Sequence, residues 1–192
     1  LLLHHVKRTV AELAVGPQDI NAGASGKDAA NLAESREEME MFRDASGPLY
    51  EFIKSIGRPM NDCGNNTPLE RFLSTPSTSL RMGSGRVLPK WIVVHLNELT
   101  ERDFDLLERS DPKFQIVHCP RSHNYFGHSP FGFERLHSLG FNVCLGTDSL
   151  ASNHTLSLFD EMRAFQKNCP NISPEEILRL VTVNPARALR YE

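Results

Sequence analysis

Three short apolar runs, each reaching a polar residue, set the pattern of this chain: Trp91-Ile-Val-Val-His95, Phe114-Gln-Ile-Val-His118 and Asn142-Val-Cys-Leu145, the last followed by Gly146-Thr147-Asp148. Their length and β-branched content predict strands. Between and after them the apolar residues recur with helical period. This predicts a helix capped by Thr100 and running through Leu107, one over 131–139 ended by Gly140, and one over 156–166. Ser173 caps another through Val181, and Asn184 opens a last one. Strand–helix units thus repeat at roughly 25-residue spacing, which predicts an α/β protein with parallel strands and right-handed crossovers. The strands are nearly all apolar, as when both faces of a sheet are covered.

The first half is less regular. Residues 1–14 carry an amphipathic pattern (Leu2, Val6, Val10, Leu13), and residues 15–30 read as loop. A charged helix is predicted from Glu37 to Arg43, and another from Pro48 to Ile56 with Leu49, Phe52 and Ile53 on one face. Residues 57–88 are rich in Pro, Gly, Ser and Asn and hold one short helix, Pro68 to Leu73. A connection of that length is usually functional or mobile.

Composition narrows the picture without deciding it. The 192 residues are 40% apolar and 23% charged, ordinary for a globular protein. A net charge of −3 gives no reason to expect nucleic acid or an anionic membrane as partner. There is no apolar run long enough to span a bilayer, and Leu1-Leu2-Leu3 is too short for a signal-peptide core. The four cysteines are widely spaced with no C-x-x-C pair, which suits reduced thiols and a cytoplasmic location. The chain starts at Leu and stops within a predicted helix, so a piece of something longer is expected.

The strand ends carry the candidate chemistry. His95, His118 and Asp148 each stand where an apolar strand stops, and Glu34 ends an earlier, weaker segment. In parallel α/β folds that edge is where ligands bind. Each also has a plainer reading: a satisfied core histidine, or an aspartate that only caps a helix. A Ser/His/Asp triad drawn from Ser122 or Ser149 lacks the G-x-S-x-G elbow. Gly83-Ser84-Gly85 lacks the lysine and helix start of a phosphate loop. His118, His123 and His128 could form a metal cluster, but the segments between them read as loop, which favours substrate contact. His4-His5 are adjacent and do not chelate one metal easily.

At this point the residues carry a resemblance. Val117-His118-Cys119-Pro120-Arg121-Ser122, then Gly146-Thr147-Asp148-Ser149-Leu-Ala-Ser-Asn153, then Leu158-Phe-Asp-Glu161-Met162 and Thr182-Val-Asn-Pro-Ala186, resemble the metal-dependent amidohydrolase superfamily. The nearest branch holds the chlorohydrolase, cytosine-deaminase-like and S-adenosylhomocysteine-deaminase-like enzymes. The resemblance is specific over 90–192, looser over 31–56 and absent over 1–30. It implies residues 31–192 as roughly strands five to eight of a TIM-type (β/α)8 barrel, apparently incomplete. It implies a hydrolase of C–N bonds that deaminates a small aminated heterocycle or nucleoside derivative, using water activated on one divalent metal, zinc or iron. Asp148 matches the eighth-strand aspartate, a metal ligand and proton acceptor. His95 matches the sixth-strand histidine that polarises water or substrate, and Glu34 the glutamate that shuttles a proton to the ring nitrogen. His118 and Ser122 would shape the substrate pocket, with specificity in the 57–88 connection and the Tyr125–Phe131 loop.

Two departures stand out. Asn31 occupies the position of a histidine ligand, and no His-x-His pair exists in the chain. Asp148 is then one retained ligand of four, so metal binding by this chain and its activity are expected to be weak or lost. The alternative is a truncated, catalytically inactive fragment. An open half-barrel also leaves two unpaired strand edges, which keeps a homo-oligomer open.

Overall fold

The computed structural model describes residues 29–33, 35–74, 91–111 and 113–191. Four strands form one parallel sheet in chain order: β1 (Ala29–Leu32), β2 (Ile92–His95), β3 (Gln115–His118) and β4 (Asn142–Leu145). The register aligns their carboxyl ends. Leu32 lies opposite His95, Val94 opposite Val117, and His118 opposite Leu145. The amide of Gly146 extends the ladder by donating to the His118 carbonyl, 2.8 Å. The polar residues that close the apolar runs are therefore neighbours along one rim.

Nine helices occur among the described residues: α1 (Arg36–Asp44), α2 (Pro48–Ser55), α3 (Pro68–Ser74), α4 (Glu101–Arg109), α5 (Pro120–Phe126), α6 (Phe133–Ser138), α7 (Leu158–Asn168), α8 (Pro174–Val181) and α9 (Val183–Leu189). Strand side chains alternate. Val93, Ile116 and Val143 are buried with Phe104, Leu107, Leu136, Phe165 and Leu180 in the main core. Each side chain of this kind contributes about 1.5–3 kcal/mol on burial. On the other parity Ile92, Val94, Gln115, Val117 and Asn142 are half-buried, while Cys144 is buried. A second cluster of Met41, Phe42, Leu49 and Ile53 joins α1 to α2.

Helix starts follow local chemistry. Thr100 and Asp103 form a full capping box on α4. Asp103 is fully buried and also accepts a hydrogen bond from the Thr67 hydroxyl, which ties α4 to the start of α3. Ser157 and Ser173 cap α7 and α8 through their side chains.

Two expectations are corrected. The segment around Arg121–Phe126, read as loop, is helix α5. Pro120 at its first turn has no amide hydrogen to lose, and Gly127 closes it in the left-handed conformation (φ 65°). Ala29 and Ala30, expected at the end of the loop read over 15–30, instead open strand β1. The amphipathic pattern of 1–14, residues 15–28 of that loop and residues 75–88 of the connection expected over 57–88 lie outside the described residues.

Candidate active site

Asp148 follows β4 with φ at 56°, a left-handed conformation that costs a non-glycine residue about 1–2 kcal/mol and so has to be held by its surroundings. The hydroxyls of Ser122 (2.8 Å) and Ser152 (3.0 Å) both donate to its Oδ2. Asp148 caps no helix: the next one, α7, is capped by Ser157, whose side chain accepts from the Asp160 amide. The plain capping reading of Asp148 is therefore overturned. Ser122 is buried in the first turn of α5, and its hydroxyl is spent on Asp148. Among the described residues it makes no Ser–His pair, so the triad reading fails on geometry.

His95 ends β2, is 3% exposed and has φ at 78°. It shares the carboxyl rim with Asp148. His118 ends β3 and is sealed in the core, 1% exposed, with its ring stacked on Phe131 at 3.8 Å and 4°. Its Nδ1 has no hydrogen-bond partner among the described residues. Burial, with His123, His95 and His128 nearby, pushes its pKa well below the ordinary histidine value.

His123 and His128 continue from His118 as a file of rings, with centroids 5.0 and 5.4 Å apart. Burial, then the neighbouring His128, lowers His123 to about 4. Its Nδ1 meets Asn97 Oδ1 at 3.0 Å, so that nitrogen carries the proton. His128 Nδ1 lies 3.3 Å from Glu98 Oε1, which also accepts from the Ser129 amide at 3.2 Å. Arg36 reaches the same carboxylate oxygen at 3.8 Å. This cluster joins α1, the segment after β2 and the end of α5, beside a groove of about 250 Å³ between α1 and residues 98–100.

The described residues do not by themselves fit a metal. They contain no group of three or more His, Cys, Asp or Glu side chains placed to hold one. Asp148 Oδ2 is already engaged by two hydroxyls. Asn31 lies on β1, and Glu34 lies outside the described residues.

The sequence reading named Asp148 and Ser122 but not their bond, and it missed Ser152, Asn97 and Glu98. It also assigned no role to Asn153 and Glu161. The available signal was an acid on an apolar stripe: Glu161 and Phe165, four residues apart on α7, are both buried.

With that geometry in hand, the comparisons decide the lineage. The profile of the amidohydrolase family matches residues 79–192, more than half of the sequence. This chain belongs to that family. It is 39% identical over 127 residues to the 5-methylthioadenosine/S-adenosylhomocysteine deaminase of Pyrococcus furiosus, covering 62% of this chain and 30% of that protein. It is 29% identical over 160 residues to the 5'-deoxyadenosine deaminase of Methanoregula boonei, covering 79% of this chain and 34% of that one. The chain thus spans about a third of the length of these curated relatives.

Among solved structures it resembles the Helicobacter pylori aminofutalosine deaminase, with a TM-score of 0.63 and 23% identity over 84% of this chain and 39% of that one. It also resembles an adenosine deaminase from Xanthomonas campestris with bound zinc, with a TM-score of 0.57 and 21% identity over 97% of this chain and 35% of that one. At these identities the likeness speaks for the fold, a parallel α/β sheet of the TIM-barrel kind. No helix among the described residues is long and apolar enough to cross a membrane.

Proposed function

We propose that the Asp148 site belongs to a hydrolytic deaminase acting on a small aminated purine, pyrimidine or nucleoside derivative. The observation that carries this is Asp148 itself: a carboxylate at the carboxyl rim of the sheet, fixed by two hydroxyls in a family whose similar members bear deaminase names. In the proposed reaction the oxygen of a water bonds to the carbon bearing the amino group, and the C–N bond breaks to release ammonia. Asp148 takes the proton that the attacking water loses and hands it to the leaving amine, which departs as ammonia. His95, on the same rim, stands by the charge that develops on the substrate, and Glu34 passes a proton to the ring nitrogen. Ser122 holds Asp148, and His118 backs the rim from the core. A cytoplasmic location fits a small-molecule substrate of this class.

With Asn31 at a ligand position and no His-x-His pair, turnover is expected to be slow. Ammonia release from aminated nucleosides and bases, measured with the wild-type chain and Asp148→Asn, tests the reading. The expected result is slow release that falls by about a hundredfold or more in the variant, the usual size of a general-base contribution. Release that survives Asp148→Asn removes Asp148 from the chemistry. No release from any substrate favours the rival reading, a catalytically inactive member of the family.

A further inference from the structure

Glu161 is a carboxylate with no exposed surface, and it sits in the first turn of α7. Its Oε2 accepts the backbone amide of Arg121, 2.9 Å away, in the first turn of α5. That amide is one of the donors a helix start leaves without an internal partner. Its Oε1 accepts the side-chain amide of Asn153. The same Asn153 nitrogen donates to the Thr147 carbonyl at 2.9 Å. Arg121 precedes Ser122, and Thr147 precedes Asp148. One carboxylate therefore grips the backbone on both sides of the Ser122–Asp148 hydrogen bond.

We propose that Glu161 is a positioning residue of this site: from α7 it fixes the start of α5 directly and the Asp148 turn through Asn153, so that Ser122 and Asp148 meet. The proposal rests on the reading of Asp148 as the working carboxylate. The chemistry asks for a carboxylate at this position. Two N–H donors arrive from different directions, one on each oxygen. An amide of the same shape offers one oxygen and turns an N–H toward the second donor. Arg121 adds a second latch from the same residue: its guanidinium donates to the Thr155 hydroxyl at 2.8 Å and lies 3.7 Å from Asp160. The strained backbone at Asp148 is the feature that such a brace keeps in place.

The test uses the full chain with Glu161→Gln and Asn153→Ala, read by residue-resolved amide hydrogen exchange and by ammonia release. In Glu161→Gln the Arg121 amide, whose acceptor is Glu161, is expected to exchange about tenfold faster, the loss of one hydrogen bond. The Ser152 and Thr155 amides should follow, while β2 and α8 keep wild-type protection. In Asn153→Ala the Ser152 and Thr155 amides should quicken while Arg121 stays protected. Where ammonia release is measurable, both variants should lower kcat and leave KM unchanged.

Exchange that rises evenly over the chain, or does not rise at Arg121, overturns the brace. If Glu161→Gln fails to fold, Asn153→Ala decides alone, because unchanged exchange over 147–155 refutes the link to Asp148. A wild-type chain that releases no ammonia counts against the deaminase reading, and the exchange pattern still decides the role of Glu161.

Discussion

His123 shows how one side chain links packing to pH. It lies between the rings of His118 and His128 and bonds Asn97. Burial, then His128, lowers it to about 4, against an ordinary value of 6.5, while Glu98 pulls the other way. The unfolded chain takes up this proton near pH 6.5 and the folded chain only near 4. The unfolded state therefore binds more protons in that window, and stability is full above pH 6.5 and falls as pH drops toward 4. His118, pushed in the same direction by burial, adds to the slope. Urea midpoints measured between pH 7 and 4 should show this loss, and His123→Gln should make the decline shallower. Equal slopes in the two proteins would contradict the assigned environment.

At this scale the sequence spoke unevenly. Asp148 stood out because it follows an apolar run, and Ser122 because it lies in the family-like segment Val117–Ser122. Asn153 and Glu161 stand in the same family-like segments, and the apolar stripe of α7 marks Glu161 as buried, but the partners they hold were not legible, because a sequence does not print distances. The cysteines were legible: all four are free, and burial pushes the Cys144 thiol up to about 12.

At the scale of elements, the strands and helix caps follow directly from side-chain chemistry. The Thr100 cap was readable, and Asp103 completes it by accepting from the Thr100 backbone amide at 2.8 Å. Thr100→Ala should cost about 1 kcal/mol in chemical denaturation, with the m-value unchanged. A neutral result would mean that Asp103 alone carries the helix start. Gly146 marks a close approach of β4 to β3: a Cβ there would lie 2.8 Å from Val117 Cγ1 and 3.4 Å from Cys119 Sγ. Valine is stiff about χ1, so Gly146→Ala should destabilise by about 1–3 kcal/mol. Full stability in that variant would show that β3 and β4 can shift apart. Helix α5 escaped the sequence reading because its residues, Pro-Arg-Ser-His-Asn-Tyr-Phe, are mediocre helix formers. The structure fastens it at both ends instead, with Glu161 on the Arg121 amide and Gly127 as the left-handed stop.

At the scale of the whole molecule, the alternation of strands and helices gave the parallel order, and the observed sheet keeps it without exception. The carboxyl rim collects His95, His118 and Asp148 as that order requires, but the three have different surroundings. His118 is packed into the core beneath Phe131, whereas Asp148 is half-exposed and held by hydroxyls. Apolar periodicity cannot separate these cases, since a strand ends at both in the same way. The metal implied by the family resemblance is the least legible part. It depends on side chains converging from several strands, and the described residues supply no group of three such ligands.

The central claim is that Asp148 works as the proton acceptor of a deaminase site. The most direct measurement is ammonia release from a panel of aminated nucleosides and bases, run side by side on the wild-type chain and Asp148→Asn. Slow release that drops at least about a hundredfold in the variant is the predicted result. Equal release by both proteins, or none by the wild type, would contradict it.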